Sequence, residues 1–330
     1  MIQGTFRASA LAVSLAFSHA ALAGEPPGAD TPPPPAPTVG ADTPPPPATE
    51  SPAPPPKPTP PPYSLPWQLR PAAAVNVLRA DTSSGLRSVS GNGGTTLVTL
   101  LLASYKVTPD LAVTVRGGVV DDSPPLKDST AAFLNPALGA TYVVKLGSGF
   151  RLAPFLGVAL PFGSGGGNAP DPAVRTALGA GALTRSSMDN ALFAVNYLTP
   201  FPGLDLAWVG HYFTVQAEAT VFELLRARGD LVDRDAARTN FTSGLHVGYF
   251  VIPQLSLGGE LRYQRWLKNS GISDGDARRD TATAAIGVRA HFKLSDTMWL
   301  RPGAAFVQPL DAPMTDQSYH VAQLDVPFSF

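Results

Sequence analysis

The sequence predicts an all-β protein, a transmembrane antiparallel up-and-down β-barrel of about twelve strands, preceded by a disordered proline-rich segment. Three observations predict it. Beyond Trp67, short stretches alternate apolar residues with polar or small ones, the period of a strand with one greasy and one wet face. Tight turns alternate with long polar loops. The closing stretch "QLDVPFSF" carries the alternation to the last residue, with Ala322, Leu324, Val326, Phe328 and Phe330 on one parity and Gln323, Asp325, Pro327 and Ser329 on the other. An exposed edge strand of this kind invites aggregation in a soluble protein.

Taken in order, residues 1–23 read as a secretory signal peptide. "MIQGTFR" supplies a positive charge, "ASALAVSLAFSHAALA" a short apolar run, and Ala21-Leu22-Ala23 a small-residue cleavage site. Residues 24–62 hold 19 of the chain's 36 prolines and repeat "GADTPPPPA" at 28 and at 40. Such a segment cannot bury a core, and the fixed φ of proline makes it a polyproline II spacer on the periplasmic side. The barrel is expected to occupy 63–330.

Twelve strands are expected at about 67–79, 95–107, 111–120, 132–145, 150–161, 188–199, 208–225, 239–251, 255–268, 281–294, 298–309 and 319–330. "VTPDL" (107–111), "KLGSGF" (145–150), "VIPQL" (251–255) and "KLSDTM" (293–298) supply tight turns. The polar stretches 80–94, 121–130, 162–187, 226–238, 269–280 and 310–318 supply long loops. "TPFPG" at 199–203 is read as the turn between the sixth and seventh strands; ten strands with a structured loop is the fallback.

Parity assigns the faces. At 255–264, Leu255, Leu257, Gly259, Leu261 and Tyr263 oppose Ser256, Gly258, Glu260, Arg262 and Gln264. The apolar parity is expected to meet lipid and the polar parity the lumen. Tyr105, Tyr142, Phe150, Tyr197, Tyr249, Phe292, Phe328 and Phe330 are expected to form a periplasmic aromatic girdle. Arg116, Glu218, His246, Glu260, Arg262, Arg289 and His291 are the lumen and constriction candidates. Nine basic residues on the polar parity (Arg70, Lys106, Arg116, Lys145, Arg151, Arg262, Arg289, Lys293, Arg301) against Glu218, Glu260 and Asp325 imply an excess of six positive charges and a bias toward anions.

The terminal Leu324, Val326, Phe328 and Phe330 resemble the C-terminal assembly signal of bacterial outer-membrane β-barrels. That resemblance implies recognition by the barrel-assembly machinery and residence among outer-membrane lipids. "NPALGATYVVKLGSGFRLAPFLGVALPFGSG" at 135–165, with Leu160, Pro161 and Gly163, resembles a strand–turn–strand segment of phenol-degradation meta-pathway transporters.

Other functions are argued against. A net charge of -1 gives no basic patch for nucleic acid, and the absence of cysteine removes thiolate chemistry. No His-x-Ser pair follows His211, His246, His291 or His320, and no Asp-x-His occurs, so no catalytic residues, metal site or cofactor are expected. The chain therefore reads as a porin-like channel for small solutes rather than an enzyme. The alternative is a structural or adhesion barrel, tied to the cell wall through 24–62, with loops that bind external partners.

Overall fold

The computed structural model describes residues 63–89, 91–169, 171–230 and 235–330. The expected signal peptide and proline-rich spacer lie outside the described residues. Twelve strands form one closed antiparallel sheet. They are β1 (Val77–Val89), β2 (Asn92–Lys106) and β3 (Leu111–Ser123), then β4 in three pieces (Thr130–Phe133, Ala137–Tyr142, Val144–Gly147) and β5 (Phe150–Ala159). After a helical insertion come β6 (Tyr197–Gly210), β7 (Phe213–Arg226), β8 (Ala237–Ile252) and β9 (Leu255–Lys268). The last are β10 (Asp280–Ala290, extended by Phe292–Lys293), β11 (Trp299–Leu300, Gly303–Pro309) and β12 (His320–Ser329). Each pairs with the next, and β12 returns to β1 with Val77 opposite Ser329 and Leu86 opposite His320. Closure leaves the sheet without an edge.

The two faces follow the parity of the sequence. Leu101, Leu156, Ile286, Phe306 and Leu324 are exposed on the outside, whereas Gln216, His246, Glu260, Arg289 and Asp325 are buried inside. A water-soluble protein has this arrangement reversed; lipid around the wall accounts for it. Tyr105, Tyr142, Phe150, Tyr249, Phe292 and Phe330 are exposed around the short-turn end, and the Phe328 ring stacks on Phe330 with 5.9 Å between centroids. The turn from β4 to β5 places Ser148 at φ 50° and Gly149 at φ 85°. A Cβ on Gly149 would meet the Val209 carbonyl oxygen at 2.3 Å, so this position requires glycine.

Three expectations are corrected. The first strand is 77–89, not 67–79, so 80–94 is a strand and hairpin rather than a loop. Thr82 and Ser84 hold outward positions of β1 and blur its alternation, while Trp67 and Leu69 mimic an apolar strand face although they lie inside the barrel. The span 188–199 is not a strand. It holds α2 (Asn190–Phe193) and only the first residues of β6. "TPFPG" is not a turn: residues 199–203 lie within β6 and pair with β5 from Thr199↔Ala159 to Gly203↔Phe155. Pro200 and Pro202 lack N–H groups, and the β6–β7 ladder has no pairing between Leu198↔Leu225 and Gly203↔Thr220. Tyr197 consequently leaves the girdle; it starts β6 at the long-loop end and is buried.

α1 (Pro172–Thr184) and α2 belong to the long β5–β6 connection. Asp171 caps α1 by accepting from the Ala173 N–H at 2.7 Å, and Pro172 takes the first helical position, where its missing N–H costs nothing. α1 packs inward: Gly181 lies against Val120 and Phe193, and Thr184 lies against Gly85.

Candidate functional site: an occupied lumen

The barrel wall by itself does not fill its interior. Inward positions on β8 and β9 include Gly244, Gly248 and Gly258, and those on β3 to β6 include Ala112, Ala137, Ala153 and Ala207. Residues 63–76 take up the space. A Cβ added to Gly248 would come within 2.2 Å of Ser64 Oγ, one on Gly244 within 2.4 Å of Leu69 Cδ2, and one on Gly258 within 3.0 Å of Trp67. Ser64 and Ala72 lie toward the short-turn end, and Trp67 and Leu69 lie deeper. The segment therefore enters from the short-turn side, reverses and leads into β1.

Much of the grip on this segment is on its main chain. The N–H of Ser64 donates to Thr214 Oγ1 at 2.9 Å. The Trp67 and Gln68 N–H groups donate to the Glu260 carboxylate, and the Arg70 N–H and guanidinium both donate to Glu218. In the other direction, Gln216 Nε2 donates to the Arg70 carbonyl and Arg79 donates to the carbonyls of Pro66 and Trp67. Extended backbone buried without such partners would be costly, and the wall supplies them.

The other half of the lumen holds the helical insertion, fixed by an ionic chain. Arg185, wholly buried, bridges Asp81 at 2.8 Å and Asp189 at 3.0 Å. Asp189 in turn meets Arg116 through two contacts of 2.6 and 3.0 Å. Asn135 sits at the break in β4, where Pro136 cannot donate to the ladder. Its Nδ2 donates to the carbonyls of Ala191 and Ala194 at 3.2 and 3.0 Å, and its N–H donates to the Leu192 carbonyl at 2.8 Å.

All seven lumen candidates point into the barrel, where they do different things. Arg116 holds the insertion through Asp189, and Glu218 holds Arg70. Glu260 pairs with Arg262 at 2.7 Å, with His246 Nδ1 3.6 Å from it and the His246 ring edge-on to Trp67 at 5.8 Å. Arg289 pairs with Asp325, which also accepts from Arg79 at 2.7 Å. His291 lies 2.9 Å from Ser256 Oγ and beside the Phe250 ring. They form no single ring.

The charge balance is also corrected. Lys106, Lys145 and Lys293 sit exposed at the rim, the last two paired with Asp110 and Asp296. The strand reading missed Arg79, Arg87 and Arg185 inside, and it missed four buried acids, Asp81, Asp122, Asp189 and Asp205. Nine interior arginines then face seven carboxylates, an excess of two rather than six. Asp122, read as a loop residue, is buried against Arg87 at 2.8 Å, while its neighbour Asp121 faces out. Two signals could have located the insertion: an N-cap Asp171 before Pro172, and the i,i+4 spacing of Arg185 and Asp189.

Two spaces remain. An inner cavity of about 160 Å³ lies between residues 63–76 and the wall, reached by Arg70, Arg79, Arg116, Arg301, Leu192 and Phe201. At the long-loop end an outer pocket of about 530 Å³ is lined by Arg175, Arg226, Asp235, Arg238, Tyr197 and Trp266 among others. Asp235 accepts from Tyr197 Oη at 2.8 Å, Arg226 Nη1 at 2.7 Å and Arg238 Nε at 2.7 Å. Partial burial acts to raise its pKa, but these donors and the two arginine charges outweigh it and hold the carboxyl below its ordinary value.

A closed antiparallel barrel with a lipid-facing apolar wall and a polar, paired interior defines the chain as a transmembrane β-barrel of the outer-membrane type. No protein-family model matches the chain, and no curated protein matches its sequence. Among solved structures it is similar to the NanC porin (9% identity, 76% of this chain and 98% of that one, TM-score 0.45). It is also similar to the KdgM porin (11% identity, 76% and 99%, TM-score 0.41). A third similar structure is an outer membrane channel from Pseudomonas putida F1 (14% identity, 80% and 98%, TM-score 0.46).

Proposed function

We propose that this protein is an outer-membrane channel for small solutes, seen with its lumen closed. One observation carries the reading: the middle of the barrel is filled by residues 63–76 and the helical insertion, not by the wall's own side chains. A barrel whose role is purely structural can close its interior with large inward residues, as eight-stranded barrels do. Here glycine and alanine leave room, and the segments that use it are separate from the strands. Displacing residues 63–76 would expose a polar wall without unpairing any strand.

Selectivity for anions is a smaller effect on this reading than the sequence implied. Arg151 and Arg301 carry it, because neither has an ion pair among the described residues. Their guanidinium groups lie over the Tyr63 and Trp299 rings at 5.6 and 5.2 Å.

The test is single-channel recording in planar bilayers of the wild type and of a deletion of 63–75. The deletion is expected to raise the conductance or the open time. Replacing Arg151 and Arg301 by Gln should then lower the anion preference, most clearly at low salt. If neither wild type nor deletion conducts, the passage reading fails and the structural or adhesion barrel replaces it.

A further inference from the structure

The outer pocket and the inner cavity share one wall. Asp189, Ala191 and Leu192 line the inner cavity, whereas Asn190, Phe193 and Ala194 line the outer pocket. Between the two spaces stands the single short helix α2. The outer pocket therefore lies directly above the cavity rather than on an unrelated loop surface.

Its chemistry is one-sided. Arg226 and Arg238 share the single carboxylate of Asp235, and Arg175 is exposed with no ion pair among the described residues. The described charges of the pocket thus sum to an excess of two positive. The lining also holds flat and apolar groups: Trp266, half-buried, with the edges of Tyr197, whose ring is covered on one side by Arg238 at 5.1 Å, and of the buried Phe193 and Leu224. Guanidinium groups recognise carboxylates through paired N–H donors, and aromatic faces recognise planar rings or the C–H face of a sugar. A volume of about 530 Å³ admits a molecule of that size.

We infer that the outer pocket is a capture site for a small ring-bearing carboxylate, held by Arg175 and Arg238 at its charged end and by Tyr197 and Trp266 along its ring. The inference deepens the channel reading and rests on it in one respect: the captured solute would go on by displacing α2 into the cavity beneath. The carboxylate is the shared chemistry, and the ring can be aromatic or a sugar.

Titration calorimetry on the folded full-length protein in nonionic detergent at low salt tests it, with benzoate against benzamide and glucuronate against methyl glucoside. At least one acid is expected to bind saturably and about tenfold more tightly than its neutral partner. Whichever pair shows the difference identifies the ring. Arg175→Gln should weaken that binding several-fold; because Arg175 is exposed and holds no described ion pair, this variant leaves no buried charge behind. Arg238→Gln should weaken it further, and gel heat-modifiability reports that each variant is folded. The site is rejected if neither acid is preferred over its neutral partner. It is rejected equally if both arginine variants keep wild-type affinity for the acid. Binding here needs no transport, so a barrel that binds the acid but never conducts retires the channel and keeps the site, and one that conducts without binding does the reverse.

Discussion

Asp189 Oδ1 lies 2.6 Å from Arg116 Nη1, and this contact ties the helical insertion in the lumen to the wall of the barrel. Asp189 also holds Arg185, which has no exposed surface of its own. Replacing Asp189 by Ala leaves one guanidinium buried with only Asp81 and Ser83 and another facing a void. The expected loss is about 3 kcal/mol or more, because an unpaired buried charge costs more than its pair contributed. Unfolding followed by gel mobility on heating measures it, and hydrogen exchange should show the amides of α2 opening first.

The close approach of Gly248 to Ser64 makes a second prediction. Gly248→Val suits a strand but places Cβ and two methyl groups where Ser64 lies. The barrel should still fold, with residues 63–76 displaced. Conductance should rise toward that of the 63–75 deletion, and protease should reach the segment around Trp67. A variant that stays as closed and as protected as the wild type would show that the wall does not select this segment by shape.

Arg262 and Glu260 are a buried pair that also receives the Trp67 and Gln68 N–H groups. Arg262→Gln should cost about 3–5 kcal/mol, since the buried Glu260 carboxylate loses its ion-pair partner. Adding Glu260→Gln should recover more than half of the loss, because the amide oxygen still accepts from the main chain. Chemical denaturation of the single and double variants gives the coupling directly. Substituting Arg116, Arg262 and Arg289 together would take an ion-pair partner from Asp189, Glu260 and Asp325 in the same way, so loss of folding should precede any change in selectivity.

Asp235 makes the outer pocket sensitive to acid. Its folded pKa lies below its unfolded value of about 3.9, so its contribution to stability is complete above that value. The contribution is lost as the pH falls through the folded pKa. Trp266 fluorescence should therefore be constant from neutral pH down to about pH 4 and change below it. Asp235→Asn should shift the fluorescence at neutral pH and remove the acid-dependent change.

Much of the wall was legible in the sequence because a barrel strand needs only a local rule. Alternation of period two placed β8 and β9 within a residue or two, and it turned Leu324 outward and Asp325 inward on β12. The same parity placed all seven lumen candidates inside. It failed where the local rule was weak. Thr82 and Ser84 diluted β1, and Pro200 with Pro202 looked like a turn because their missing N–H groups are normally fatal to a strand. Only the tertiary structure decided what occupies the lumen. Trp67 and Leu69 are apolar in the way a lipid-facing strand is apolar, and nothing local separates burial inside a barrel from burial in a membrane. Asp81, Arg185, Asp189 and Arg116 span more than a hundred residues of sequence and meet only after closure brings β1, β3 and the β5–β6 connection around one axis. Charge counts taken strand by strand could not see that pairing. The interior is nearly balanced because three acids on strands that local pattern did not place, Asp81, Asp122 and Asp205, lie inside together with Asp189 of the insertion.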